Sequence, residues 1–287
     1  MPKALKYLLI SVGGLVALFL VALAVIAFTV DPNAFKPEIV KVVQEKKQRT
    51  LIIEGDIKLK LFPKLGIDLG KTRLSEHRGT DEFAAVDSLR LYVAWLPLLR
   101  RELVVDRIVV EGARAHLVRN ADGSTNFDDL LSKEESQEVK FDIAGVRVSR
   151  SALSFDDRMA NRKLTVSDFD LQTGRIRDNT HTHIEAHLRL TASDPAVTAR
   201  VDIKSGLLFA LADRHYALDK LDLKVTGDAA GLSGLDLTLR GDGDFGLPAG
   251  GAQSILLRDV KLSLAGTRGS DRFDVTLDAP RLALAQD

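Results

Sequence analysis

The segment LDLKVT at residues 221–226 alternates apolar and polar side chains with a period of two. Residues 197–204, 235–240 and 273–278 repeat this alternation. Successive side chains of a β-strand point to opposite faces, so each segment has one apolar and one polar face, as is typical of antiparallel sheets. We therefore predict a mainly β fold after Thr50, with a long curled antiparallel sheet of about fifteen strands.

Short clusters of Asp, Asn and Gly predict turns between these strands, for instance at residues 120–123, 227–228 and 241–243. Residues 241–246 also match the pattern G-x-G-x-x-G. A dinucleotide-binding loop of that pattern has to open a helix, and here Leu247-Pro248 follows, so a turn is predicted instead. Helical signal is sparse and is confined mainly to one short helix within residues 124–131.

The predicted sheet creates a problem of exposed apolar surface. About fifteen strands with apolar residues on one face would expose more than the few hundred Å² that a soluble monomer tolerates. Two solutions remain open: the sheet closes on itself as a barrel or a sandwich, or it forms a groove that an apolar ligand fills. In the second case the lipid-facing candidates are Leu188, Leu190, Val201, Ile203, Leu223, Val225, Leu237 and Leu239.

The N-terminal segment predicts a membrane anchor. Residues 7–30 carry no charge, and a helix of about 24 residues spans about 36 Å, more than the hydrocarbon core. Lys3 and Lys6 precede it and Asp31 follows, so the N-terminus is predicted to be cytoplasmic and the body to lie outside. A cleaved signal peptide is the alternative.

Beyond the anchor we predict a short helix and then two β regions. Pro37 suits the first turn of an amphipathic helix, which would lie either on the outer membrane surface or on the sheet. The predicted domains are residues 1–30 (cytoplasmic stub and transmembrane anchor), 31–135 (a β unit with a leading helix) and 136–287 (an antiparallel meander).

Composition excludes several functions. Apolar residues make up 45% of the chain, 40 basic residues balance 40 acidic ones, and cysteine is absent. A neutral chain lacks the basic surface of a nucleic-acid-binding protein, and a chain without cysteine has neither disulfides nor a thiolate nucleophile. We expect no cofactor and no nucleic-acid partner.

Two clusters of side chains are candidates for catalysis or metal binding. His181, His183, Glu185 and His187 share one strand face and could ligate zinc, although this is the face on which a solvated polar surface is expected. The carboxylate pairs at residues 128–129 and 156–157 lie in turn-like sequence, where adjacent side chains rarely face one substrate. We therefore predict that the protein is not an enzyme and has no metal site. A zinc-dependent enzyme is the alternative.

The first 135 residues resemble the N-terminal region of the AsmA family of Gram-negative envelope proteins. The resemblance rests on five segments in the family's order: residues 30–40 (VDPNAFKPEIV), 51–67, 95–99 (WLPLL), 103–112 (LVVDRIVVEG) and 119–131 (RNADGSTNFDDLL). The chain departs from the family at residues 46–50 (KKQRT), where a Thr-Gly-Arg-like turn is common. Family members are also commonly longer, so we expect a truncated product or a piece of a longer protein.

The resemblance implies a single-pass inner-membrane protein whose body lies in the periplasm. It also implies a role in outer-membrane biogenesis and lipid transport, with membrane phospholipids as partners and other envelope proteins as further candidate partners. Such proteins resemble bridge-like lipid transfer proteins, in which acyl chains cover the apolar floor of a β-groove. A scaffold that regulates outer-membrane protein assembly through protein contacts remains the alternative.

Overall fold

The computed structural model describes residues 31–60, 64–94, 97, 104–131, 142–210, 214–246 and 253–286. The predicted anchor at residues 7–30 and the predicted domain boundary near residue 135 lie outside these ranges. Within them, the helices are too short or too polar to cross a membrane. The described chain is mainly β, as the alternation predicts.

Helices are few. A 3-10 helix (Pro32–Phe35) leads into α1 (Lys36–Lys47), and the single turn α2 (Asp128–Leu131) follows the eighth strand. The first eight strands are β1 (Leu51–Ile53), β2 (Lys58–Lys60), β3 (Leu65–Leu69), β4 (Thr72–Ser75), β5 (Glu82–Val86), β6 (Ser88–Val93), β7 (Val105–Glu111) and β8 (Arg114–Arg119). The remaining strands are β9 (Asp142–Ile143), β10 (Val146–Asp157), β11 (Arg162–Thr173), β12 (Ile176–Arg177), β13 (Thr182–Ser193), β14 (Ala196–Ala210), β15 (His215–Ala229), β16 (Leu232–Gly246), β17 (Gln253–Arg268) and β18 (Asp271–Gln286).

Sixteen of these strands form one sheet. Two antiparallel ladders, β1-β4-β5-β8 and β2-β3-β6-β7, both lead to β10. From β10 the sheet continues as β11-β13-β14-β15-β16-β17-β18, while β9 and β12 pair separately. In the described part of the chain neither β1 nor β2 pairs with β18, so the sheet is open rather than closed on itself.

The sheet is mixed, which corrects the prediction of a purely antiparallel one. β7 and β8 lie end to end and both pair in parallel with β10, in a constant register from Ile108↔Val146 to Arg119↔Asp157. Parallel neighbours need a crossover connection of a dozen or more residues, and residues 120–145 provide it. The long connection after β8 therefore brings the chain back to the end of the sheet at which β7 begins, and β10 starts there.

Bulges bend the long strands near their middles. Shifts of register occur beside Arg150, Asp168, Lys220 and Asp259, each of which has a φ between 50° and 52°. Aspartates on neighbouring strands accept two of the backbone N–H groups that leave the ladder. Arg150 N donates to an Asp170 carboxylate oxygen at 3.1 Å, and Lys220 N donates to an Asp242 carboxylate oxygen at 2.6 Å. Since bulges bend and twist strands, they supply curvature to this sheet.

Two predicted turns are strand interiors instead. Gly227 lies in β15 and Gly241 lies in β16, with φ values of 145° and 151°. A Cβ atom on Gly227 would lie 2.1 Å from the Thr198 carbonyl oxygen, and one on Gly241 would lie 2.9 Å from the Arg258 carbonyl oxygen. Glycine is required there by close backbone approach between strands rather than by a turn, so the prediction of turns at these positions was wrong.

Arg49 is a large side chain that is fully buried. Its Nε donates to Asp129 Oδ2 at 2.7 Å, and its Nη2 donates to Asp129 Oδ1 and to the Asn126 carbonyl, each at 2.6 Å. Its Nη1 donates to the Ser75 carbonyl at 2.9 Å, and the guanidinium carbon lies 4.3 Å from the centre of the Phe83 ring. Arg49 thereby ties the start of β1 to β4, β5 and α2.

The hydrogen bonds from Arg49 also hold the pKa of the Asp129 carboxyl below its ordinary range. The charged form of Asp129 is therefore the stable one in this buried cluster. Asp128 has a different structural task, since it accepts hydrogen bonds from the backbone and the hydroxyl of Thr125 at 2.8 and 2.6 Å. The two adjacent carboxylates serve the fold separately.

Two asparagines of the family-like segments bind backbone groups. Asn33 Oδ1 accepts from Ile57 N at 2.8 Å, which attaches the 3-10 helix to the segment before β2. Asn126 Oδ1 accepts from Val118 N at 2.8 Å, and its Nδ2 donates to the His116 carbonyl at 2.8 Å. These side chains satisfy backbone groups in and beside the strands, which explains why the segments matter to the fold.

Arg49→Met should destabilise the first strands by about 3–5 kcal/mol, because it leaves the Asp129 carboxylate largely buried without its cation. Hydrogen exchange of the backbone amides in β1 and β4 measures the loss locally. Arg240→Met is the matched control. The Arg240–Asp222 pair is largely exposed, with 3.3 Å between Nε and Oδ2, so its loss should cost less than about 1 kcal/mol. Equal losses in the two variants would contradict the role assigned to Arg49.

Candidate functional site

One row of apolar residues crosses eleven strands without interruption. Residues that are directly paired across neighbouring strands point to the same face, so the register defines the row. It runs through Leu69, Leu89, Val110, Val148, Leu171, Ala186, Ile203, Leu223, Leu239, Leu262 and Leu277. Ten steps of about 4.8 Å between strands give the row a length of about 48 Å.

A second row runs beside the first on the same face. It joins Leu188, Val201, Val225, Leu237, Leu264 and Val275 across six strands. All eight sequence-predicted candidates lie on this apolar face. Seven of them belong to the two rows. The eighth, Leu190, lies on β13 two residues after Leu188. We call the residues of the two rows, together with Leu190, the apolar face.

The apolar face is not a closed core. Each of the eight candidates is half-buried, and Ala186 is the buried member of the eleven-residue row. At the β18 end, Val275 and Leu277 are 50% and 47% exposed. The fully buried apolar residues of the described chain are mostly alanines. A sandwich would bury these large side chains, so the structure matches an open sheet with an uncovered apolar surface.

Sequence alone did not extend the candidates to Leu69, Leu89, Val110, Val148 and Leu171. Each of these residues sits in a strand whose own alternation is short or interrupted. The signal that joins them to the other candidates is the cross-strand register, and the constant register of β7 with β10 carries the apolar face across the parallel junction.

The opposite face is polar and carries many ion pairs. Glu185 pairs with Lys204, with 2.8 Å between the carboxylate oxygen and Nζ, and Arg240 pairs with Asp222 at 3.3 Å. The pairing with Lys204 lowers the pKa of Glu185, and Glu185 in turn raises the pKa of Lys204. These groups are partly exposed, so solvent screens their ion pairs and the pairs add little to stability. Their main effect is to make this face hydrophilic.

Two histidines of the sequence-predicted strip lie beside carboxylates on other strands. His181 Nδ1 lies 2.7 Å from Asp219 Oδ2, and His187 Nδ1 lies 2.5 Å from Asp202 Oδ1. Over the residues that the structure describes, no three histidine or carboxylate groups converge in a way that could hold a metal ion. The strip belongs to the ion-pairing polar face, which is where the sequence predicted a solvated surface.

α1 leaves an apolar side exposed next to the predicted anchor. Phe35, Ile39 and Val42 are 60%, 40% and 41% exposed. Spacings of three and four residues place these side chains on one side of the helical segment. Val40 and Val43 are less exposed, and the helix contacts β1. The helix therefore packs on the sheet, as one of the two sequence-based alternatives predicted, and it keeps a separate apolar side exposed.

His187 should make stability depend on pH. Its hydrogen bond with Asp202, with Glu185 as a second carboxylate, raises the pKa of His187 above its ordinary value of 6.5. A raised folded-state pKa stabilises the fold below the unfolded pKa, and this stabilisation is lost as pH rises through the folded-state pKa. His187→Gln should therefore be less stable than the parent below about pH 6, and the difference should shrink above about pH 8.

Urea denaturation at both pH values measures the effect. His116→Gln is the matched control, because His116 Nδ1 faces the Ser154 hydroxyl at 2.7 Å instead of a carboxylate. A His187→Gln deficit that is equally large at both pH values would contradict the assignment.

The comparisons with known proteins agree with the resemblance of the first 135 residues to the AsmA family. Protein AsmA of Escherichia coli (strain K12) is 29% identical over 173 residues, which cover 58% of this chain and 27% of that protein. The match thus spans about a quarter of the length of this relative. No solved structure matches. The sequence profile of the AsmA family matches residues 1–231. The chain belongs to the AsmA family.

Proposed function

We propose that this protein is a non-enzymatic envelope protein that shields or transfers phospholipid along its apolar face in support of outer-membrane biogenesis. Membership of the AsmA family supports a role in the envelope. The observation that carries the proposal is the eleven-strand apolar row, whose large side chains are half-buried rather than enclosed. An uncovered apolar surface of this extent needs an apolar partner in water.

Acyl chains suit this surface better than a small apolar ligand does. The row of about 48 Å exceeds the roughly 30 Å thickness of a bilayer hydrocarbon core, so a lipid tail can lie along it or across it at many positions. The row is continuous and carries no charge between Leu69 and Leu277. A continuous surface lets a lipid slide between neighbouring positions without crossing a polar barrier.

The opposite face of the sheet is polar, which fits the lipid proposal. Lys224 and Arg240 are immediate sequence neighbours of Leu223 and Leu239, yet strand alternation turns them to the polar side. The polar side thus keeps the body soluble while the apolar side holds lipid.

We further propose a single-pass inner-membrane protein with a cytoplasmic N-terminus and a periplasmic body. The uncharged segment at residues 7–30 and the positions of Lys3 and Lys6 support this topology. The exposed Phe35, Ile39 and Val42 side chains would then rest at the bilayer surface. Asn33 binds the 3-10 helix to the segment before β2, and β2 pairs with β3, so the beginning of the apolar face would lie close to the lipid source.

Site-specific photocross-linking tests the lipid proposal. A benzophenone amino acid at Leu223 or Leu239 of the full chain, expressed in a Gram-negative host, should give phospholipid adducts after irradiation, read by mass spectrometry. The matched controls are the same probe at Lys224 and Arg240, which should give few or none. Because each control differs from its partner by one position, expression level and distance from the membrane are the same.

Adducts with proteins alone at Leu223 and Leu239 would contradict the lipid proposal and favour a scaffold that acts through protein contacts. Equal lipid yields on both faces would also contradict it, because they would show incidental contact with the membrane.

A further inference from the structure

The polar face contains a cavity with a surplus of positive charge. It has a volume of about 560 Å³ and lies over β2, β3, β6, β7 and β10. Its lining includes five basic side chains, Lys60, Lys64, Arg90, Arg107 and Arg147, against the single acidic side chain of Glu111. Elsewhere on this face acidic and basic residues alternate, as Glu185, Lys204, Asp222 and Arg240 do along one row.

The strand register explains why these cations meet. Lys60, Gly66, Tyr92 and Arg107 are consecutive partners across β2, β3, β6 and β7. Arg90, Val109 and Arg147 are partners across β6, β7 and β10. The two rows are neighbours on the same face, so Arg107 and Arg147 reach the cavity from adjacent strands, although forty residues separate them in sequence.

Not all of the positive charge is neutralised by the protein. Lys60 Nζ lies 3.4 Å from an Asp68 carboxylate oxygen, and Lys64 Nζ lies 2.5 Å from one of Asp106. Arg90 pairs with Glu111, which also faces Arg150 at 3.3 Å.

Arg107 and Arg147 have no carboxylate within ion-pair distance in the described ranges. Arg147 instead donates to the Gln172 side chain at 3.2 Å.

Tyr92 forms the floor of the cavity. A Cβ atom on Gly66 would lie 2.7 Å from Tyr92 Cδ1, so the ring occupies the space directly above the β3 backbone. The ring covers the backbone between the basic strands and presents an amphipathic surface beneath them. The cavity therefore combines an aromatic floor with two guanidinium groups that have no carboxylate partner in the described ranges.

We propose that this cavity binds a phosphate ester, with Arg107 and Arg147 as its principal ligands. Guanidinium groups bind phosphate through paired N–H donors, and two of them on adjacent strands can share one phosphate group. Lys60 and Lys64 add positive charge at the rim. A volume of about 560 Å³ holds a phosphate with a glycerol-sized or sugar-sized group attached, and Tyr92 supports that group from below. The site lies on the face opposite the apolar row and does not depend on lipid transfer along that row.

Calorimetry of the full chain in a non-ionic detergent tests the site, with sn-glycerol 3-phosphate as the probe and glycerol as the uncharged control. The parent should bind the phosphate ester and should not bind glycerol. Arg107→Gln with Arg147→Gln should weaken binding at least about tenfold, as expected when charged hydrogen bonds to phosphate are lost. An unchanged melting temperature of this double variant checks that it is folded, since both arginines are exposed.

Arg200→Gln is the matched control. Arg200 is an exposed arginine of the polar face on β14, and the described residues place no carboxylate within ion-pair distance of it. Binding should be unchanged in this variant. Loss of affinity in Arg200→Gln equal to that of the double variant would overturn the site, as would a parent that binds no phosphate ester.

Short-chain phosphatidic acid distinguishes the two sources of such a phosphate. Tighter binding of dihexanoyl phosphatidic acid than of glycerol 3-phosphate would identify a lipid headgroup as the ligand, and equal binding would identify a soluble phosphate ester. Photocross-linking from Leu223 should be the same in the double variant. The phosphate site and the apolar face can therefore fail independently.

Discussion

A β-strand that alternates apolar and charged residues must shelter one face from water, and in this sheet the register aligns that face from β3 to β18. Each pairing adds one apolar side chain to the row, and each strand brings its polar residues to the other side. Besides the two-residue strands β9 and β12, which pair with each other, the described part of the chain supplies no second sheet, and its longest helix is the twelve-residue α1. The open apolar face is therefore the constraint on which the rest of the structure depends.

The junction at β10 keeps this face continuous. Two antiparallel ladders reach β10, and β7 and β8 lie along it in one register, so Val110 and Val148 meet across a parallel pair as if the sheet were uniform. Arg49 secures the far end of one of these ladders, β1-β4-β5-β8, by binding Asp129 and the carbonyl groups of Ser75 and Asn126. A buried cation of this kind is costly to desolvate, so its value lies in fixing one arrangement of β1, β4 and α2.

Much of the fold could be predicted from local pattern. The alternation at residues 221–226 predicts β15 and the side on which Leu223 and Val225 lie, because a period of two leaves no other choice. The ordered segments behind the uncharged stretch predicted the AsmA family. Leu247-Pro248 after residues 241–246 argued against a dinucleotide-binding loop, but β16 runs through residues 241–246, where a turn was predicted.

What could not be predicted depended on contacts between distant residues. The parallel pairing of β10 follows from a crossover whose path the sequence does not encode locally. Asp129 was considered only for catalysis, since its partner Arg49 lies 80 positions away. The cavity around Arg107 and Arg147 was missed for the same reason, because each arginine alone is one charge in an alternating strand. The strand register decides which isolated charges become neighbours.

The central claim is that hydrocarbon covers the apolar face, and nitroxide accessibility tests it most directly. The chain contains no cysteine, so Leu223→Cys gives a single labelled position in the full chain within native lipid. The claim predicts that oxygen, which concentrates in hydrocarbon, reaches this label while a water-soluble nickel chelate does not. A label at Lys224→Cys should show the reverse preference. Protection of the residue 223 label from both reagents would mean a closed protein core, and free access of the nickel chelate would mean a wet surface; either result would contradict the claim.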